Sequence, residues 1–199
     1  MTLREIQAIN NIHRIPKWVH INKGVVLDYR LMEALKGDSD KRVRDYIYDF
    51  NVYLKKYKMN LQRPYVWKHH QQNEFILSIL LEKPIEPVVV VQHNSDRQRT
   101  ETINYIIDGK QRLMTIQKFL RNEFPIIIGG KEVYFKDFDE ELYYFFKSRV
   151  NSLTAIIYYS YRDTQIDDDM KIILFNYYNF AGTPQTESHK NKLQQLLNK

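Results

Sequence analysis

The stretch Ile103-Asn104-Tyr105-Ile106-Ile107-Asp108-Gly109-Lys110-Gln111-Arg112-Leu113-Met114-Thr115-Ile116-Gln117-Lys118-Phe119-Leu120 decides how this chain is read. Its first five residues are mostly β-branched or aromatic and read as a strand. From Leu113 the apolar residues fall at Leu113, Ile116 and Leu120, the spacing of one helix face. Strand therefore becomes helix at Asp108-Gly109. Asp108, with Gln111 three residues on, has the spacing of a variant capping box. Gly109 lets another group approach the backbone closely.

Two readings of this junction stand side by side. In one it is a capped helix and nothing more, which requires only Asp108 and Gln111. In the other it is a polyphosphate or nucleic-acid site. The open N–H groups of a helix start attract anions, and Lys110 and Arg112 add positive charge. A bare carboxylate repels phosphate, so in this second reading Asp108 holds Mg²⁺ or a polarised water.

Bulk properties narrow the class. With 199 residues the chain has room for one domain with a real core, or one domain with an appendage. It has no Cys, which excludes disulfides and Cys-based zinc sites and fits a reducing compartment. The N-terminus lacks an apolar signal region, and no uncharged apolar stretch is long enough to span a bilayer. A soluble, cytoplasmic protein is expected. The net charge of +6 permits nucleic-acid binding without requiring it.

Upstream of the junction the chain reads as mainly helical at first. Residues 1–24 are weakly periodic and Pro16 interrupts them. Val26–Leu35 predicts a short helix ending at Gly37. Val43, Ile47, Phe50, Leu54 and Tyr57 then recur at helical spacing, with Lys41, Arg42, Arg44, Lys55, Lys56 and Lys58 on the other faces. Those charges suit a solvated face or a phosphate backbone. Residues 1–57 are thus expected to form an N-terminal helical extension packed on a main domain of residues 58–199.

The segment Gln62-Arg63-Pro64-Tyr65-Val66-Trp67 is extended, because Pro64 disfavours helix at Arg63. An Arg flanked by aromatics can stack on a base or clamp a phosphate, or pack at the rim of a core. A helix with Phe75, Ile76, Ile79 and Leu80 inward follows, and ends at Pro84-Ile85-Glu86-Pro87. Val88–Val91 is a buried strand by composition. A polar loop with Arg97 and Arg99 joins it to Ile103–Ile107, so the two strands form an antiparallel hairpin.

Downstream, Ile126–Ile128 and Val133–Phe135 flank Gly129-Gly130 and predict a second hairpin. Asp137 and Glu140 read as a capping box opening a helix with Leu142, Phe145 and Phe146 inward. Leu153–Tyr159 is a further strand. Asp167-Asp168-Asp169 opens a helix to about Tyr178. Three successive carboxylates suggest a metal, or the positive end of a helix dipole. A last helix capped by Thr186 or Ser188 would end near Leu197.

Taken in order, three motifs resemble one family. They are Gln62-Arg63-Pro64-Tyr65-x-Trp67, then Gln72 and Ser78-Ile79-Leu80 with Pro84-Ile85-x-Pro87, then Asp108-Gly109-Lys110-Gln111-Arg112-Leu113 with Thr115-Ile116. The set resembles the N-terminal domain of GmrSD-type modification-dependent restriction endonucleases, of the ParB/sulfiredoxin-like superfamily. Phe175-x-x-x-Asn179-x-x-Gly182-x-Pro184-x-Thr186 is similar to a later signature of that family. The resemblance covers roughly residues 58–190.

The resemblance implies a compact α/β (α+β) fold, with a small mixed sheet and helices around it. It implies binding and hydrolysis of a nucleoside triphosphate with Mg²⁺, and in some relatives the sensing of modified DNA. Its catalytic positions fall on Asp108, Gln111 and Arg112, with Asp108 also the metal or water ligand. Its nucleotide-binding positions fall on Gln62, Arg63, Tyr65, Trp67, Gly109 and Lys110. Arg63 and Arg112 would hold phosphates, Gly109 would admit the ligand and Gln111 would orient it. Lys110 departs from the Gln usual there. Such enzymes also carry a His-Asn-His nuclease domain, for which residues up to Lys199 leave no room, so cutting DNA would call for a separate nuclease subunit. Two other classes remain open: a DNA-binding module using Arg97 and Arg99, and an interaction protein that modulates a defence system.

Overall fold

The computed structural model describes residues 16, 18–37, 45–94, 101–160, 166–179 and 195. Its frame is a five-stranded mixed sheet. In chain order the elements are β1 (His20–Val26), α1 (Leu31–Lys36), β2 (Asp45–Asp49), β3 (Tyr53–Leu54), β4 (Met59–Asn60), α2 (His69–Leu80), β5 (Val88–Asn94) and β6 (Glu101–Asp108). They continue with α3 (Lys110–Leu120), β7 (Ile126–Ile128), β8 (Lys131–Val133), α4 (Glu140–Asn151), β9 (Thr154–Tyr159) and α5 (Asp168–Asn179). A single 3₁₀ turn, Phe135–Asp137, precedes α4.

The sheet order is β1-β9-β5-β6-β2. The outer pair β1–β9 and the inner pair β5–β6 are antiparallel, whereas β5–β9 and β2–β6 are parallel. The β5–β6 hairpin expected from sequence is therefore the centre of the sheet. A mixed α/β architecture of this size fits the expected fold class.

Alternation along the central strands builds two cores. Val88, Val90 and Ile106 face α1 to α4, where Leu31, Leu35, Ile76, Ile79, Leu113, Ile116, Phe119 and Phe146 are buried. Val89, Val91 and Ile107 face the other way, onto Val52, Leu54 and Leu61 of the β3–β4 region and Ile172, Leu174 and Phe175 of α5. Such strands are buried on both faces and read as near-continuous apolar runs, as Val88–Val91 does.

Several expectations need correction. The helix expected across Val43–Tyr57 is not formed by its described part. Residues 45–49 are β2, an edge strand that runs parallel to β6 with Asp49 opposite Tyr105. A turn follows in which Asp49 Oδ1 accepts from the N–H of Asn51 and of Val52, both at 2.9 Å. The β3–β4 hairpin then crosses residues 57 and 58. The apolar spacing that suggests a helix arises because strand, turn and hairpin bury successive residues against different partners. Tyr-Ile-Tyr has β propensity, and pairing with β6 decides the outcome. The helical character expected of the first 57 residues is corrected for the same reason: their described part supplies two edge strands of the main sheet, the first strand of the β3–β4 hairpin and one short helix. That helix does end at Gly37, whose φ of +88° is the left-handed C′ geometry.

Downstream, Gly129 and Gly130 make the β7–β8 turn with φ of +58° and +78°, as a two-residue hairpin requires. The strand after it is Lys131–Val133, and Phe135 belongs to the 3₁₀ turn. The cap of α4 is Asp139, which accepts from the Leu142 N–H at 2.8 Å, while Asp137 accepts from the Tyr134 N–H instead. Apart from residue 195, the expected last helix lies outside the described residues. No helix among the described residues is long and apolar enough to cross a membrane.

Candidate functional site

The site is built where β6 runs into α3. Gly109 is the N-cap, with φ of +97°, a conformation that L side chains rarely adopt. A Cβ placed on it would stand 3.0 Å from Val88 Cγ1 and 3.1 Å from Val88 Cγ2. The space that a side chain would need is thus occupied by β5, so a glycine is required where the helix start packs on the strand.

Asp108 does not cap the helix, which corrects the capping-box reading. Its Oδ2 accepts from Arg112 Nη2 at 2.8 Å, an i,i+4 ion pair. The helix begins at Lys110 with Gly109 as its N-cap, so Asp108 stands one residue before the capping position. Arg112 Nη1 also donates to Glu86 O, and Nη2 lies 3.4 Å from Pro87 O. Arg112 therefore ties the loop before β5 to the end of β6. Both of its terminal nitrogens contact protein.

Gln111 is likewise engaged. Its Oε1 accepts from the Val66 N–H at 2.9 Å and its Nε2 donates to Pro64 O at 3.2 Å. This two-point contact fixes the extended segment against the start of α3. Lys110 leaves the helix on another side, where Nζ donates to Asn51 Oδ1 at 3.2 Å. Burial pulls the Lys110 ammonium pKa below its ordinary value, and the Asp49 carboxylate opposes that shift. Three consecutive side chains thus reach three different segments, as expected of residues about 100° apart around a helix.

The Gln62–Trp67 segment is bound at both ends. Gln62 Nε2 donates to Ile106 O at 2.7 Å and to Ile107 O at 2.8 Å. The Tyr65 hydroxyl shares a hydrogen bond with Thr115 Oγ1 at 2.8 Å and accepts from Gln72 Nε2 at 2.9 Å. Lys118 Nζ stands 5.5 Å from the Tyr65 ring centroid. Trp67 packs edge-on to Phe75 at 5.4 Å, on the helix α2 side. Between these anchors stands Arg63, half-buried, with no hydrogen bond or ion pair to the described residues.

The fold thus brings Gln62, Arg63, Tyr65, Asp108, Gly109, Lys110, Gln111 and Arg112 to one junction. Trp67 is an anchor at its margin. Arg97 and Arg99 lie outside the described residues. Sequence reading missed Asn51 and Asp49, and placed Thr115 in the family motif without giving it a role. An Asp-x-Asn turn signal was present at Asp49-Phe50-Asn51, but the helical spacing across it concealed it.

The helix start itself is uncapped. No side chain caps α3 and its first turn has no acidic residue. The N–H groups of Lys110, Gln111 and Arg112 meet no acceptor among the described residues, the first helical bond being Leu113 N to Gly109 O at 3.0 Å. Mg²⁺ is commonly held by one or two carboxylates together with substrate phosphates. Asp108 fits that pattern, since Oδ1 has no partner among the described residues. An all-protein metal cage does not fit, because the described residues contain no group of three His, Cys, Asp or Glu placed for one. The Asp167–Asp169 run, read above as a metal or dipole feature, is used for capping and pairing, with Asp167 Oδ1 accepting from the Met170 N–H at 2.8 Å.

No curated protein and no solved structure matches the chain. A family model does: residues 50–197 match the one described as GmrSD restriction endonuclease, N-terminal domain. That match takes in both motifs that build the junction, and the chain belongs to this restriction-related family.

Proposed function

We propose that the uncapped start of α3 binds the polyphosphate of a nucleoside triphosphate, with Mg²⁺ held at Asp108, and that the domain hydrolyses it in a restriction or defence setting. The observation that carries this reading is the uncapped first turn of α3, whose N–H groups lack a protein acceptor among the described residues. A helix start left without its own anion is a ready anion site. Arg63 is the arginine free to meet a phosphate, because it is held in place by its neighbours yet has no described partner of its own. Arg112 neutralises and orients Asp108, so that the carboxylate does not repel the ligand outright. Hydrolysis moves the terminal phosphoryl group to water with cleavage of the bond to the β-phosphate oxygen. It calls chiefly for positioning and charge stabilisation, which the N–H groups and Arg63 supply.

Thermal melting with each of the four ribonucleoside triphosphates and Mg²⁺ tests the reading. One nucleotide at a hundred times its Kd should stabilise the wild type by about 2.7 kcal/mol. Arg63→Ala should melt as the wild type does without ligand and lose the nucleotide-induced rise. If no nucleotide raises the wild-type melting point, the reading fails.

A further inference from the structure

Lys110 is the most deeply placed charge at the junction, only 5% exposed. An ammonium has three N–H donors, and its one hydrogen-bond acceptor among the described residues is Asn51 Oδ1, at 3.2 Å. The nearby carboxylate, Asp49, spends Oδ1 on the two N–H groups of its own turn. Such a group is costly to bury, so its position needs a reason beyond packing.

The contacts of Asn51 supply that reason. Its carbonyl accepts from the Gln62 N–H at 3.2 Å, and the Val52 carbonyl accepts from the Leu61 N–H at 3.0 Å. Gln62 in turn binds the β6 carbonyls of Ile106 and Ile107 through its side chain. A closed ring therefore runs from the first residue of α3 to Asn51, to Gln62, to the end of β6 and back to α3. Arg63 follows Gln62 in the chain, next to this ring. Gln111 fixes the far side of Arg63 through Pro64 and Val66.

We propose that Lys110 is a positioning residue, which holds Asn51 and through it sets the Gln62–Arg63 backbone at the uncapped start of α3. This rests on the anion-site reading for its functional consequence but not for its structural content. Lys110 needs no contact with the ligand to act in this way.

The test uses the full chain and three variants: Lys110→Met, Asn51→Leu and Asn51→Asp. Amide hydrogen exchange is followed residue by residue, and tripolyphosphate with Mg²⁺ is titrated by calorimetry. Lys110→Met and Asn51→Leu should each speed exchange at the Gln62 amide by about tenfold, while Val90 and Ile106 stay protected. Both should weaken tripolyphosphate binding by about tenfold. Asn51→Asp offers Lys110 a stronger acceptor and should keep wild-type protection and affinity. Unchanged exchange at Gln62 in Lys110→Met overturns the proposal, whatever happens to binding. So does a rise spread evenly over β5 and β6, which marks a general loss of stability. Faster exchange with undiminished binding also overturns it. If exchange changes as expected while the wild type binds no tripolyphosphate, the anion-site reading falls and the positioning role stands.

Discussion

The starts of α3 and α5 both follow a carboxylate, and they use it in opposite ways. At α5, Asp167 caps the Met170 N–H at 2.8 Å. Asp168 accepts from the Lys56 N–H at 2.9 Å, and Asp169 takes the Lys56 ammonium at 2.6 Å together with the Tyr57 hydroxyl. The positive end of the helix is thus filled by the protein's own acids. At α3, Asp108 turns away to Arg112, and the first turn carries no acid at all. A helix start that meets its own needs is structural. One that declines an available carboxylate leaves its N–H groups for something else.

The sharpest way to break this contrast is Arg112→Ala. The variant removes the partner of Asp108 and the donor to the Glu86 and Pro87 carbonyls. If the Asp108–Arg112 pair holds the junction, stability should fall by about 3 kcal/mol. For a chain of this length that is a drop in Tm of about 6–12 °C, read by thermal melting. If instead Asp108 is freed to cap α3, the loss will be small and the helix start will close against anions. Arg63→Ala is the control that should leave Tm within about 2 °C.

The contrast also shows what could be read from the sequence and what could not. Strand, junction and helix across residues 103–120 were legible because each rests on local spacing. The Gly129-Gly130 turn was legible because its φ demands are local too. The direction taken by Asp108 was not, since it turns on whether the helix begins after Asp108 or after Gly109, a difference of one residue that spacing alone does not fix. Nor were β1 and β2. An edge strand such as Asp45–Asp49 has few signals of its own, and its partner Glu101–Asp108 lies more than fifty residues on. Lys110 could be seen as a charge near a helix start, but its aim at Asn51 depends on a turn hidden under an apparent helical period. The family motifs located the junction. Which of its side chains are spent on the fold required the bonds themselves.

A smaller effect is expected at the other helix. Asp167→Ala removes the α5 cap and should cost about 1 kcal/mol, or about 2–4 °C in Tm. Because α5 is filled from within, this variant should leave nucleotide-induced stabilisation unchanged. A loss of nucleotide response in Asp167→Ala would mean that the two helix starts are not the separate devices drawn here.

The smallest effect is that of pH on the contact between the β3–β4 hairpin and α5. Partial burial pushes the Asp169 carboxyl up, but hydrogen bonds from Lys56 and Tyr57 together with the Lys56 charge outweigh it, and the pKa lies below the ordinary value. A depressed carboxylate stabilises the fold above its unfolded pKa, and that gain is lost as pH falls through the folded value. Lys56 stays protonated across this range, since its own pKa is raised by Asp169, so the acid limb belongs to Asp169. Asp169→Asn should therefore lower Tm by about 1–2 °C at pH 7 and converge with the wild type in strong acid. Salt should shrink the difference, because the pair is largely exposed. Should the two curves stay parallel down to pH 2, the hairpin would be held by Val52, Leu54 and Leu61 in the second core rather than by its charges. The contrast with α3 would then rest on the Asp167 cap alone.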